Sequence, residues 1–444
     1  MKLMKIQPAN NLRGDINLPG DKSISHRAAL LSAMADGNTR IENFASSADC
    51  ASTLGCLKDL GVEIRRENST VFVKGVGKTG FRKPSKELDC GNSGTTVRLL
   101  SGILAGQNFD SILIGDESLS KRPMRRIIEP LSQMNAKFES AENRLPLTIR
   151  GANPLQPISY KLPVASAQVK SCVLLAGLNA AGKSKVQSPK SKIRAATSRN
   201  HTELMLKYLG AEVSENYIED DGYVQEISID GSSNLMAKDL QIPSDISSAA
   251  FFIVAAACLE NSEIVLRNVG LNPTRTAILE VLKNFGAEIE VFGEREVCNE
   301  LIGDLRVSGN RNFAPKPNLN IIGGEIISNL IDEIPILAVF GTQIENGLEI
   351  RDAAELRVKE SDRIAAVVEN LRRMNAKVEE FPDGLKVYQS DLKGAKIESF
   401  GDHRIAMAFS IAALFADGEA EIIGAECAAV SFPEFYEVLG ELVN

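Results

Sequence analysis

Leu57-Lys58-Asp59-Leu60-Gly61-Val62-Glu63-Ile64 reads as the end of a helix running into a strand. Gly at the turn tolerates the left-handed conformation that closes a helix, and the apolar–charged alternation after it suits a strand. The phrase returns as Leu131-Ser132-Gln133-Met134-Asn135-Ala136-Lys137-Phe138, as Met205-Leu206-Lys207-Tyr208-Leu209-Gly210-Ala211-Glu212-Val213 and as Val281-Leu282-Lys283-Asn284-Phe285-Gly286-Ala287-Glu288-Ile289. It recurs again as Asn370-Leu371-Arg372-Arg373-Met374-Asn375-Ala376-Lys377-Val378 and, shortened, as Glu437-Val438-Leu439-Gly440-Glu441-Leu442-Val443. The period is about 75 residues, so one supersecondary pattern is written six times.

A second element keeps step with the first: an Ala- and Ser-rich apolar helix expected to begin near Ser25, Ser93, Ser166, Asp245, Ser328 and Asp402. All six are residue types that cap a helix start. The helices are apolar nearly all round, which implies burial on every side. Three such units in each half predict an α/β protein of two pseudo-threefold domains, with buried helices inside and sheets outside. Leu18-Pro19-Gly20-Asp21 and Leu240-Gln241-Ile242-Pro243 read as the hinge between halves. One domain is expected over residues 20–240 and the other over 1–19 with 241–444, the chain crossing between them twice.

A length of 444 residues favours two domains over one. With 44% hydrophobic and 24% charged residues, no disordered or fibrous reading is needed. The apolar stretches at residues 248–259 and 405–416 are too short or too polar at their flanks to span a bilayer. The first residues, Met1 to Pro8, carry no apolar leader and no transit character, so a cytoplasmic protein is expected. Seven cysteines without a Cys-x-x-Cys pair fit a reducing compartment and read as small buried residues. A net charge of −8 leaves no broadly basic surface for nucleic acid.

Within this acidic chain, basic residues gather beside Ser, Thr and Gly at the helix starts. They occur in Asp21-Lys22-Ser23-Ile24-Ser25-His26-Arg27, Gly91-Asn92-Ser93-Gly94-Thr95-Thr96-Val97-Arg98 and Ser120-Lys121-Arg122-Pro123-Met124-Arg125. Ala165-Ser166-Ala167-Gln168 is a further polar start, and basic residues recur at Ser198-Arg199-Asn200-His201, Arg357-Val358-Lys359-Glu360-Ser361-Asp362-Arg363 and Gly401-Asp402-His403-Arg404. Exposed backbone N–H groups and the positive dipole end make each helix start an anion site, and guanidinium forks bind carboxylate and phosphate at two points. One arginine alone would be a surface ion pair; seven recurring clusters point to small, multiply anionic ligands. His26, His201 and His403 all lie in these clusters and are expected to brace neighbouring arginines. With no His-x-x-x-His or Cys/His pairing, no metal is expected.

Leu18 to Arg27, Gly91 to Arg98, Arg122-Pro123-Met124, Arg357 to Arg363 and Asp402-His403-Arg404, in that order, resemble the 5-enolpyruvylshikimate-3-phosphate synthase family (3-phosphoshikimate 1-carboxyvinyltransferases) over essentially the whole chain. The resemblance implies two domains, each of three βαβαββ-like repeats with parallel buried helices, closing over the substrates. It implies a transferase of the shikimate pathway, leading to chorismate and the aromatic amino acids, that needs no metal or organic cofactor. It also implies that phosphoenolpyruvate is held by Lys22, Gly94, Arg122, Gln168, Arg363 and Arg404. Shikimate 3-phosphate would be held by Lys22, Ser23, Arg27, Ser166, Gln168, Arg199, Asp332 and Lys359. In the implied addition–elimination, Glu360 is the acid–base group at C3 of phosphoenolpyruvate, Asp332 partners the shikimate hydroxyls, and Lys22 shuttles a proton and offsets the departing phosphate. A small-molecule enzyme acting as a monomer is expected.

Two departures stand out. Ser166-Ala167-Gln168 replaces the Ser-Ser-Gln of many relatives, and Val430 stands before Ser431-Phe432-Pro433 where some carry a lysine, so no C-terminal lysine is carried over. By the same resemblance, Gly94 occupies the position where a side chain can alter glyphosate sensitivity, with Ser93 and Ala167 beside it leaving both tolerance and sensitivity open.

Other readings fit the residues less well. Gly177 to Ser184 fits the P-loop expression letter for letter, yet a helix is expected before it and a strand after it, the reverse of a nucleotide site. Gly75-Val76-Gly77-Lys78-Thr79 reads as a hairpin turn. The sister transferase that acts on a UDP-amino sugar typically uses a loop Cys just before an Arg-Pro pair, which the 115–123 loop lacks. An inert anion-binding relative would gain nothing from Asp332 and Glu360 beside its ligand.

Overall fold

The left-handed turn expected after each outer helix is present five times. Gly61 (φ 88°), Asn135 (77°), Gly210 (94°), Gly286 (94°) and Asn375 (64°) close helices Ala48–Asp59, Arg125–Gln133, His201–Tyr208, Ala277–Asn284 and Arg363–Arg373 in a computed structural model that describes residues 3–192, 198–219, 221–310, 313 and 320–443. The sixth phrase differs: Gly440 lies inside helix Phe435–Leu442.

The turns recur because each unit repeats one sheet. In the first, Leu240–Gln241 runs parallel to Asp36–Glu42, which pairs antiparallel with Thr70–Val76, which pairs antiparallel with Glu63–Glu67. The same order of one parallel and two antiparallel neighbours holds for Leu88–Asp89, Asp110–Ile114, Leu147–Arg150 and Lys137–Glu139. It holds again for Ser159–Lys161, Lys183–Gln187, Tyr223–Asp230 and Val213–Glu219, and for Ile321–Ile322, Leu348–Ile350, Gly384–Val387 and Val378–Phe381.

Two sheets borrow from the N-terminus. Arg13–Asn17 lies parallel to Glu263–Gly270, and Leu3–Ile6 lies antiparallel to Ala420–Ile423. The six sheets thus restate one βαβαββ pattern as the α/β repeat. The chain divides into two compact units: Gly20–Ile242 with Val297–Glu300, and Met1–Pro19, Pro243–Glu296 and Leu301–Asn444.

Inside the Gly20–Ile242 unit, helix Gly94–Ala105 packs against Lys22–Met34 and Ala167–Gly177. In the other unit, Ile246–Cys258, Ile334–Gly341 and His403–Leu414 pack on one another. Every residue of Ile246–Cys258 and of His403–Leu414 is buried, so these helices lie within the core. Four of the six expected caps are observed: Ser93, Ser166, Asp245 and Asp402 each accept from a backbone N–H of the first turn. Two positions need correction. Asp21 caps Lys22–Met34, while Ser25 sits within the helix and accepts from the N–H of Ala45. Ser328 belongs to the short helix Ile327–Leu330, and the interior helix starts later, after Glu333, with Pro335 in its first turn.

The P-loop-like letters fall, as expected, between helix Ala167–Gly177 and strand Lys183–Gln187. Gly75 to Thr79 is the exit of strand Thr70–Val76 rather than a hairpin turn; the hairpin closes at Asn68, with φ 53°. Five of the seven cysteines are buried, Cys298 and Cys427 partly so. Among the described residues no helix is long and apolar enough to cross a membrane.

Two glycines test the turn reading. A Cβ at Gly210 or Gly440 would meet nothing within 4 Å, so backbone conformation alone decides the outcome. Gly210→Ala should destabilise the protein by about 1–2 kcal/mol, the cost of a left-handed L-residue. Gly440→Ala should stabilise it by about 0.5–1 kcal/mol, as in any exposed helix interior. Urea unfolding midpoints that moved in the same direction would contradict the assignment of these two turns.

Candidate active site

In the Gly20–Ile242 unit the interior helix starts carry cations, and several of these donate to neutral oxygens. Lys22, in the first turn after Asp21, meets a carboxylate instead: its Nζ lies 2.9 Å from Asp49 Oδ2. Arg27, one turn on and 3% exposed, donates from Nε to Thr202 Oγ1 (2.7 Å), from Nη1 to the Ser23 carbonyl (2.8 Å) and from Nη2 to Ser171 Oγ (2.9 Å). Arg199 Nη1 donates to Ser23 Oγ at 3.2 Å. Lys22, Ser23, Arg27 and Arg199 therefore share one neighbourhood.

A second group forms around Gly94. Arg122 Nη2 donates to Asn92 Oδ1 (2.9 Å) and Ser118 Oγ (3.3 Å), and Arg98 Nη1 donates to Gln168 Oε1 (2.6 Å). Gln168 Nε2 in turn donates to Thr95 Oγ1 at 3.0 Å. A Cβ on Gly94 would stand 2.9 Å from Arg98 Nη1 and 3.4 Å from Arg122 Nη1. The absence of a side chain thus lets two guanidinium groups approach the start of helix Gly94–Ala105. Ser166 caps the next interior helix by accepting from Val169 N–H at 3.4 Å.

In the other unit the cations are matched by carboxylates. Arg363, 1% exposed, donates from Nε to Asp402 Oδ2 (2.8 Å) and from Nη2 to Glu360 Oε2 (2.6 Å), and its Nη1 lies 3.4 Å from Asp332 Oδ1. Arg404 Nε lies 3.4 Å from that same Asp332 oxygen. Burial by itself would depress Arg363, but Asp402, Glu360 and Asp332 together hold it above the usual arginine range. Lys359, half-buried, is held below the ordinary lysine value because leaving water penalises its charge; Asp332 opposes that and Arg363 adds to it. Arg363, Arg404, Lys359, Asp332 and Glu360 are thus brought together.

The three histidines lie against the following partners. His26 Nδ1 meets Thr53 Oγ1 at 2.7 Å, Thr53 meets Thr96 at 2.7 Å, and Thr96 donates to the cap Ser93 at 2.8 Å. His201 Nδ1 meets Glu300 Oε1 at 2.6 Å, and His403 Nδ1 lies 4.0 Å from Asp402 Oδ1. Cys50 borders the Lys22 carbonyl at 3.6 Å, but burial pushes its thiol up to about 12, so it is no thiolate at neutral pH. Among the described residues no three His, Cys, Asp or Glu side chains are grouped as a metal site requires.

The supporting groups Asp49, Thr202 and Ser171 do not stand out in the sequence. Asp49 and Thr202 sit on outer amphipathic helices, and their only local signal is closeness to a helix start.

This arrangement of buried helices and repeated sheets is shared with enolpyruvyl transferases of known structure. The enolpyruvyl transferase NikO from Streptomyces tendae superposes with a TM-score of 0.75 over 99% of this chain and 97% of its own, and at 17% identity that likeness shows the fold. EPSP synthase from Acinetobacter baumannii gives a TM-score of 0.85 with 40% identity, covering 100% of this chain and 98% of the other. The profile of EPSP synthase (3-phosphoshikimate 1-carboxyvinyltransferase) matches residues 6–439. The 3-phosphoshikimate 1-carboxyvinyltransferases of Solibacter usitatus (49% identity, 99% of both chains) and Koribacter versatilis (48%, 100% of both) match along their whole length. The chain belongs to the EPSP synthase family.

His26 gives a titration test. Burial holds its pKa well below 6.5, with Lys22 and Arg27 adding to the effect. The unfolded chain then binds a proton that the folded one does not, so this group's contribution to stability is intact above about pH 6.5 and is lost as the pH falls below it. Histidine-selective NMR should show the His26 ring neutral from pH 8 down to 5.5. An imidazolium signal appearing near pH 6.5 would contradict its burial as the controlling cause.

Proposed function

We propose that the two clusters serve one reaction, in which the enolpyruvyl group of phosphoenolpyruvate passes to the 5-hydroxyl of shikimate 3-phosphate with release of phosphate. Membership of the EPSP synthase family supports this transferase activity in the shikimate pathway. The observation that carries the division of roles is the placement of two carboxylates, Asp332 and Glu360, beside Arg363. Arg27, Arg98, Arg122 and Arg199 each donate to a hydroxyl or amide oxygen, which orients the guanidinium. Forks held in this way suit phosphate and carboxylate. Asp332 and Glu360 instead sit beside Arg363, where carboxylates are held in place for proton transfer.

On this reading Lys22, Gly94, Arg122, Gln168, Arg363 and Arg404 take phosphoenolpyruvate. Lys22, Ser23, Arg27, Ser166, Gln168, Arg199, Asp332 and Lys359 take shikimate 3-phosphate, with the Arg199 guanidinium suited to its phosphoryl oxygens. Asp332 accepts from the shikimate hydroxyls as the 5-hydroxyl oxygen attacks C2, and Glu360 delivers a proton to C3 and takes one back on elimination. Lys22 offsets the charge of the departing phosphate. The work is done by a monomer in the cytoplasm on small molecules, without nucleic acid or membrane. A net charge of −8 supports the absence of a nucleic-acid partner.

Phosphate release should require shikimate 3-phosphate and should not occur with UDP-N-acetylglucosamine in its place. Turnover with the sugar nucleotide alone would reassign the acceptor, and turnover with neither would favour an inert anion-binding protein. In the same assay Glu360→Gln should lower kcat by about a hundredfold or more while leaving substrate KM values within about threefold, as loss of a proton-transfer group does. Equal losses in both would remove its role at C3.

A further inference from the structure

Lys170 and Glu203 form an ion pair that the reaction does not use. Their Nζ and Oε1 atoms are 2.6 Å apart, with the two side chains 3% and 0% exposed. Taking two charges out of water costs several kcal/mol per ion, and an apolar pair of similar volume is often as stable or more so. Packing therefore gives no reason for the pair to be ionic. The surroundings give one: Lys170 Nζ also lies 3.3 Å from the carbonyl oxygen of Ser198, the residue before Arg199. An ammonium can hold that carbonyl and a methionine cannot.

The pair is one of two adjacent rungs between the same helices. Ser171, next to Lys170 on helix Ala167–Gly177, bonds at 2.6 Å to Thr202, next to Glu203 on helix His201–Tyr208. Thr202 and Ser171 both accept from Arg27, whose Nη1 holds the Ser23 carbonyl, and Ser23 Oγ accepts from Arg199. One rung thus fixes Ser23 through Arg27, and the other fixes the backbone that carries Arg199.

We propose that Lys170 and Glu203 are a positioning pair that holds the Ser198–Arg199 backbone against Ser23, and so sets the preference for the phosphorylated over the unphosphorylated acceptor. The inference rests on the reading of Arg199 as a ligand of shikimate 3-phosphate. The pair touches no substrate. It acts by fixing a guanidinium that would otherwise have to be ordered when the ligand binds.

Calorimetric titration of the whole protein with shikimate 3-phosphate and with shikimate tests it, using Lys170→Met/Glu203→Leu, which removes both charges and keeps the volume. This variant should melt no lower than the native protein and bind shikimate 3-phosphate about tenfold or more weakly, the scale of one charge-assisted contact. Its affinity for shikimate should change by less than about twofold, the lost contact being to phosphate alone. Should it not fold, Lys170→Glu/Glu203→Lys keeps an ion pair but takes the donor away from Ser198, and the same selective loss is expected. Unchanged affinity for shikimate 3-phosphate, or equal loss for both ligands, overturns the proposal. Failure of both variants to fold would make the pair a stability element and overturns it too. Arg199→Ala separates the layers. If it binds shikimate 3-phosphate normally, the reading of Arg199 falls and the inference with it; if it binds weakly while the double variant does not, only the inference falls.

Discussion

A helix buried on every side leaves its first amide N–H groups without intrahelical partners at the one place where the surrounding core cannot supply them. The repeat answers this by capping. Asp21, Ser93, Ser166, Asp245 and Asp402 each turn a side-chain oxygen onto the first turn of an interior helix. Capping satisfies some donors and leaves the positive end of the dipole in place. Polar and basic residues collect there because the fold makes those positions polar before any function is asked of them.

The two units use that field differently. Around Gly94, Arg98 donates to Gln168 and Arg122 to Asn92, and a glycine lets both guanidinium groups close on the helix start. Around Arg363, three carboxylates surround one fully buried guanidinium. A charge that deep is tolerable only when it is paired and hydrogen-bonded, and removing one partner would leave the others unbalanced. The pairing fixes Asp332 and Glu360 in place, as the proposed proton transfer would require.

Much of this was legible in the sequence because the repeat left local marks. Gly61, Asn135, Gly210, Gly286 and Asn375 announce their turns through a conformation few other residues accept. Gly440 carries the same letters without the turn, because nothing in a short phrase distinguishes a closing glycine from one inside a helix. Ser25 resembles a cap, but Asp21 does the capping four residues earlier; Ser328 misleads because a four-residue helix precedes the interior one. The cations themselves could be named from their clusters. Their supports, Asp49, Thr202 and Glu203, could not, since each comes from an outer helix that only the tertiary packing brings to the interior helix start.

The central proposal is that Arg122 and Arg404 are both ligands of phosphoenolpyruvate. The most direct test is the phosphoenolpyruvate dissociation constant, measured with shikimate 3-phosphate present, for Arg122→Ala and Arg404→Ala separately. Each loss should weaken phosphoenolpyruvate by about tenfold or more, the scale of one charge-assisted contact. Weakening in only one of the two variants would mean that a single cluster holds the substrate, and would contradict the account.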